Sequence, residues 1–342
     1  MTTTKLSSKP GILATTRAGE WWANKFSPLL ATFYATAGLL GSPLLPLLGR
    51  LLGLVLALLV GAIYVSIVND WTDLAADAAA GKTNRLAGRP AWFVGLALGG
   101  CLLAGSAFGL YFWHLGHRVA WLYLAAWVVY SLYSLPPVRL KARGLAGVLA
   151  DASGAHLLPQ LLVVAAVEAW LGRAVPGAWW AAVGTWALAC GLRGIVWHQL
   201  GDAAADAQAG VDTLVVRWGA GRVQRLGQAV VFPVEVVAFG MVLGLSQPGW
   251  ALALLGLYGG LEWCRWRIWG YRPVVLVPDA RMVLTDYYLL FYPLAFLLPQ
   301  CLRYPPDGLV LALHGALFGP AAWPLVQEAR VYVNVLTRRV KA

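Results

Sequence analysis

The chain has 342 residues, of which 60% are hydrophobic and only 12% charged. Soluble globular chains carry about 25% charged residues, so a soluble enzyme domain, a disordered chain and a nucleic-acid-binding protein are poor fits to this composition. The formal net charge of +11 therefore has to be explained by where the basic residues fall.

Taken in chain order, apolar runs of membrane-crossing length lie near 27–48, 51–74, 92–113, 119–135, 144–167, 178–200, 226–247, 249–269, 283–302 and 308–326. A helix of roughly 20 apolar residues crosses the hydrocarbon core, and these runs lack the alternation of a barrel strand. The expected fold class is all-α, a polytopic membrane bundle of nine or ten transmembrane helices. Pro293, Pro320 and Pro324 are expected to kink or shorten its last helices.

Twenty-one of the 26 Lys and Arg residues fall in segments 1–25, 75–91, 136–143, 201–225, 264–282 and 327–342. Of the rest, Arg50, Arg118, Arg173 and Arg303 lie in the opposite loops and Arg193 inside a run. The positive-inside rule then places both termini and the charged loops in the cytoplasm, which requires an even number of crossings and favours ten over nine. On this reading the basic surplus faces anionic membrane lipid, with no nucleic acid as partner.

Residues 1–25 are polar and basic, and the first apolar run is too long for the core of a cleavable signal. Cys101, Cys190, Cys264 and Cys301 are scattered without a CxxC pair, as buried thiols are. The expected organisation is one membrane domain over 26–327, with a cytoplasmic segment at 1–25 and a basic tail at 328–342.

Acidic residues are few, and six of the fifteen cluster in two stretches placed just past the second and sixth helices. The first runs Asn69-Asp70-Trp71-Thr72-Asp73 and on through Asp77 to Gly81. The second runs His198-Gln199-Leu200-Gly201-Asp202 and on through Asp206 to Gly210, with Asp212 following. A shift of 129 residues superimposes Asp73 on Asp202, Asp77 on Asp206 and Gly81 on Gly210, so the expected bundle is a pseudo-two-fold duplication.

Steps of three, four and seven residues return to one helix face, so Asp70, Asp73 and Asp77 point together, as do Asp202 and Asp206. Like charges so placed repel unless a cation neutralises them. Hard oxygen donors without thiolates favour Mg²⁺, which uses one or two carboxylates and completes its shell with water and phosphate oxygens. Lys82, Arg85 and Arg89 follow the first cluster and Arg217 and Arg222 the second, with Lys82 and Arg85 best placed for phosphate.

These residues resemble the UbiA superfamily of intramembrane prenyltransferases. Its N-D-x-x-D-x-x-x-D motif is matched by Asn69, Asp70, Asp73 and Asp77, and its D-x-x-x-D motif with a following Gly and Ser/Thr by Asp202, Asp206, Gly210 and Thr213. Lys82 and Arg85 match the K-x-x-R after the first motif. The stretch Tyr133-Ser-Leu-Pro-Pro-Val-Arg-Leu-Lys141 is similar to the loop of members that attach long isoprenoid chains to ring acceptors, such as chlorophyll synthases. The resemblance spans roughly residues 25–300 and departs from the family at the tenth helix and at His198-Gln199.

The resemblance implies transfer of an isoprenyl group from an isoprenyl diphosphate donor to a lipophilic, ring-containing acceptor in the membrane. Asp70, Asp73, Asp77, Asp202 and Asp206 are then the Mg²⁺ and diphosphate residues. Asn69 orients a carboxylate or bound water, Lys82, Arg85, Arg139 and Lys141 contact diphosphate, and Tyr133 and His198 contact substrate. Of the aromatic residues, Trp71, Tyr133 and Trp197 are close enough to the motifs to act there, whereas Trp21, Trp22, Trp179 and Trp180 are expected as interfacial anchors. Asp286, Asp151 and His156 are charges or ionisable groups inside apolar runs and stand as candidates for the acceptor chamber. An intramembrane terpene cyclase and, more distantly, a transporter are the competing functions.

Overall fold

The computed structural model describes residues 18–340 except 80, 247 and 279, and of 20, 248 and 334–340 the backbone alone. Residues 1–17 of the expected cytoplasmic segment and 341–342 of the basic tail fall outside the described residues. Within them the chain is helical, with no β-strand.

A π turn at Trp22–Phe26 leads into α1 (Ser27–Leu39), followed by α2 (Leu48–Ala79), α3 (Ala91–Leu115), α4 (His117–Ser134) and α5 (Leu145–Leu171). Then come α6 (Gly177–Gln208), the short α7 (Leu214–Trp218), α8 (Ala220–Leu245) and α9 (Pro248–Trp269). A π turn at Tyr287–Phe291 precedes α10 (Tyr292–Arg303), and α11 (Gly308–Phe318) and α12 (Trp323–Val340) close the chain. Five stretches are long and apolar enough to cross a membrane unaided: Leu45–Ala79, Ala91–Leu115, Leu145–Leu171, Ala220–Leu245 and Pro305–Val333.

Three segments differ from the expected runs. The run 27–48 is no single helix: α1 ends at Leu39, the chain turns through Gly41-Ser42-Pro43, and the buried Asp307 carboxylate accepts the backbone N–H of Leu44 at 2.9 Å and of Leu45 at 2.8 Å. Those donors are orphans of a restarting helix, and the acid satisfies them. The run 308–326 breaks after Phe318, where Gly319-Pro320 forces a turn through Ala322. Lastly, the acidic motifs do not follow their helices but form the last turns of α2 and α6.

α2 and α6 have one construction. Each is 32 residues long, and the 129-residue offset that aligns the motifs also aligns both helix ends. Gly81 and Gly210 close them at φ +66° and +67°, a left-handed conformation that a Cβ disfavours. The N–H of Lys82 returns to the Asp77 carbonyl and that of Val211 to the Asp206 carbonyl, both at 2.9 Å, the closing bond of a Schellman cap.

Around this pair the core is aromatic and apolar. Trp179 is not an interfacial anchor: it is fully buried and its indole N–H donates to Thr36 Oγ1 at 3.1 Å. Arg193 of α6 forms a bidentate pair with the buried Glu235 of α8, both bonds at 2.6 Å, and Tyr288 donates to the same carboxylate at 2.8 Å. The guanidinium also reaches the carbonyls of Val275 and Val283, so a charge inside the bundle holds the 270–285 connection in place.

Candidate active site

The C-terminal turns of α2 and α6 open on one cavity of about 1180 Å³. The residues that the resemblance assigns to metal, diphosphate and substrate line it: Asn69, Asp70, Asp73 and Asp77 from α2, Lys82 and Arg85 beyond it, Tyr133 from α4, Arg139 and Lys141 from the α4–α5 connection, and His198, Asp202 and Asp206 from α6. The two helices face it in matching register. Ala57 and Trp186, Gly61 and Cys190, Asn69 and His198, Asp70 and Gln199, Asp73 and Asp202, and Asp77 and Asp206 are lining pairs separated by 129 residues. At 1.5 Å per residue, the wall from Trp186 to Asp206 runs about 30 Å along α6.

Cations interleave the acids. The Asp73 carboxylate accepts Arg139 Nη2 at 2.8 Å and Lys141 Nζ at 2.7 Å. Lys141 also donates to Asn69 Oδ1 at 2.9 Å and Thr72 Oγ1 at 3.2 Å, and Ser134 donates to the same Asn69 oxygen at 3.2 Å. Burial pulls the Lys141 ammonium down from its ordinary value, and the adjacent Asp73 opposes this. The loop is seated on Gly147 of α5, where a Cβ would stand 2.6 Å from the Leu140 carbonyl oxygen.

Lys82, which follows the first motif, donates to Asp202 Oδ1 of the second at 3.3 Å. Asp206 lies within electrostatic reach of Asp202, Lys82 and Asp73. Burial first, then Asp202, raises its carboxyl above the usual range, with Lys82 and the Thr213 hydroxyl opposing. The motifs therefore share one electrostatic environment.

Asn84 was not found from sequence. Its amide donates to Asp77 Oδ2 at 2.8 Å and to the Asp70 carbonyl at 2.7 Å, while its Oδ1 accepts the Leu86 N–H at 2.9 Å. The signal was available: 129 residues on stands Thr213, which bonds Asp206 and caps α7. Other candidates fall away from the cavity. Trp71 is 48% exposed, Arg89 stacks over Phe93, Arg217 pairs with Asp212, and Arg222 stacks on Trp218. Asp286 does not line the chamber but pairs with Arg265 and Arg281, which also engage Glu328 of α12. Tyr133, Trp197, Asp151 and His156 do line it.

Among the described residues no three of His, Cys, Asp and Glu converge as a closed metal cage. The motif donors are carboxylates, one or two per helix turn, in an open cavity with cations beside them. That donor set fits a hard divalent ion that draws most of its shell from a phosphate ligand and water.

An all-helical bundle with paired acidic helix ends around one chamber defines a class of intramembrane protein. The UbiA prenyltransferase family profile matches residues 28–276, and the chain belongs to that family. Among solved structures it is similar to a UbiA homolog from Archaeoglobus fulgidus bound to DMAPP and Mg²⁺, with a TM-score of 0.50 and 15% identity over 92% of this chain and 98% of that one. The same homolog bound to Cd²⁺ gives a TM-score of 0.50 and 15% identity over 83% and 98%. At that identity the likeness is one of fold. No curated protein matches the chain.

Proposed function

We propose that this protein transfers an isoprenyl group from an isoprenyl diphosphate to a lipophilic, ring-containing acceptor within the membrane, with Mg²⁺ as cofactor. The observation that carries the reading is the meeting of both acidic motifs across one cavity, with Lys82 reaching from one to the other. The Archaeoglobus fulgidus homolog, solved with DMAPP and Mg²⁺, supports it at the level of the family.

Asp70, Asp73, Asp77, Asp202 and Asp206 hold the metal in this reading, and bound Mg²⁺ offsets charge on the departing diphosphate. Lys82, Arg85, Arg139 and Lys141 bind the diphosphate oxygens and stabilise the charge that grows as the allylic C–O bond breaks. Asn69, held by Ser134 and Lys141, keeps the Asp73 turn oriented, and Tyr133 and His198 contact substrate. The apolar wall of Ala57, Leu58 and Gly61 on α2, facing Tyr123 and Trp127 of α4, takes the isoprenyl tail and excludes water. Ring faces there stabilise an allylic cation electrostatically.

The proposal extends to topology: the bundle is duplicated about α2 and α6 with the site on the cytoplasmic side, and ten crossings, favoured over nine, put both termini on that side as well. A cyclase would share the ionisation step. The polar groups deeper in the cavity favour a separate polar acceptor instead.

The test is diphosphate release from dimethylallyl and geranyl diphosphates by protein in lipid nanodiscs, with a panel of ring acceptors. Release is expected to stop on chelation, to return with Mg²⁺, and to fall at least about 100-fold in Asp73→Ala and in Asp202→Ala. Wild-type rates in either variant would overturn the assignment. Cyclic hydrocarbon formed without acceptor would favour the cyclase.

A further inference from the structure

The α4–α5 loop touches both acidic motifs, and contact with diphosphate accounts for one of its ends alone. That end lies on Asp73 through Arg139 and Lys141. At the other end Gly144 donates its backbone N–H to the Asp212 carbonyl at 2.9 Å and forms an isolated parallel bridge with Thr213. Thr213 in turn bonds the Asp206 carboxylate through its hydroxyl, and the N–H of Val211 returns to the Asp206 carbonyl at 2.9 Å. Residues 139–144 therefore join the middle acid of the first motif to the last acid of the second.

The path is stiff. Leu140–Ala142 is a 3₁₀ turn in which the N–H of Ala142 donates to the Arg139 carbonyl at 3.1 Å and that of Arg143 to the Leu140 carbonyl at 2.8 Å. Arg139 stands at φ +39°, and a left-handed backbone at a residue with a side chain persists where its surroundings hold it. Here its N–H donates to the Leu135 carbonyl at 2.8 Å and its guanidinium is held on Asp73.

The far end is locked by residues for which the diphosphate has no use. Gly144 lies at φ +55° and ψ −117°, a conformation that a Cβ disfavours, and a Cβ there would stand 2.9 Å from Arg217 Cδ. Arg217 is kept over the glycine by its ion pair with Asp212, the residue whose carbonyl Gly144 bonds. Gly144 and Arg217 both lie outside the cavity lining. The direct contact between the motifs, Lys82 to Asp202 at 3.3 Å, joins two exposed side chains that water screens, so the loop is the firmer link.

We infer that the α4–α5 loop is a strap that couples the two motifs, with Gly144 and Arg217 as positioning residues that touch no substrate. The inference rests on the prenyl-transfer reading for what the motifs bind, whereas the strap exists in the protein without ligand. A cation or diphosphate that draws Arg139 and Lys141 off the Asp73 carboxylate shifts the loop, and Gly144 carries the shift to the backbone that holds Asp206. Linkage is reciprocal, so the motifs load together and not one at a time.

Two measurements on the full chain in nanodiscs test this. The first is amide hydrogen exchange without ligand, with α11 as the control for global folding. Asp73→Ala unties the near end and is expected to speed exchange about tenfold both at 139–146 and, across the cavity, at 211–217. A response confined to 139–146 overturns the strap. The second is Mg²⁺-dependent binding of inorganic pyrophosphate, for which wild type is expected to show a Hill coefficient approaching about 2 in Mg²⁺. Gly144→Ala and Arg217→Ala are expected to bring it to about 1 and to weaken binding about tenfold, while Arg217→Lys, which keeps the pair with Asp212, stays near wild type. Loss of folded protein lowers the signal without changing the Hill coefficient, and if Gly144→Ala loosens α11 the two Arg217 variants decide. Unchanged affinity and Hill coefficient in folded Gly144→Ala or Arg217→Ala overturn the coupling and leave prenyl transfer standing. Absence of pyrophosphate binding in wild type counts instead against the prenyl-transfer reading, and the exchange measurement then decides the strap alone.

Discussion

Asn84 and Thr213 show how single residues hold the acids in place. Each follows a left-handed glycine by three positions, and each bonds the last carboxylate of its motif, Asp77 or Asp206. Asn84→Ala removes three hydrogen bonds from a buried position and frees Asp77 to turn away. It should lower stability by about 2 kcal/mol and weaken Mg²⁺-dependent pyrophosphate binding severalfold, read by thermal unfolding and by titration. Thr213→Ala loses an N-cap and should cost about 1 kcal/mol by the same unfolding assay. The acids themselves were legible in the sequence because carboxylates are scarce in an apolar chain. Asn84 was harder to see, because an Asn among loop residues carries no such contrast.

At the scale of elements, the loop between α4 and α5 brings two cations, Arg139 and Lys141, onto the Asp73 carboxylate. Arg139 and Lys141 reach Asp73 because Gly147 lets the Leu140 backbone settle onto α5. Gly147→Ala should lift the loop and weaken pyrophosphate binding about tenfold while the bundle stays folded. Retention of full affinity would show that the close approach is not what positions Lys141. A different device ties α6 to α8. Removing one member of the buried Arg193–Glu235 pair should cost about 3–5 kcal/mol, since the other charge is left unpaired, whereas the double change Arg193→Met with Glu235→Leu should recover most of it. Thermal unfolding in detergent of the single and double variants gives that comparison. Sequence reading found Arg193 as an isolated charge in an apolar run, but its partner lies 42 residues away on another helix.

For the whole molecule, the proposed ten-crossing topology puts both ends of the chain on one side. Reporter fusions after Ala342 and before Met1 should therefore respond alike, and opposite responses would favour nine crossings.

The sequence by itself determined the helical membrane class, the paired motifs and their 129-residue offset. These follow from composition and from the 3.6-residue period, both local properties of the chain. Tertiary structure decided what lies across the cavity: Lys82 on Asp202, the α4–α5 loop on Asp73, and Lys25 beside His156. It also decided that Asp286 serves an ion-pair cluster with α12 rather than the chamber. Contacts of that kind depend on how helices distant in sequence pack and where their breaks fall, and no local pattern of residues encodes that.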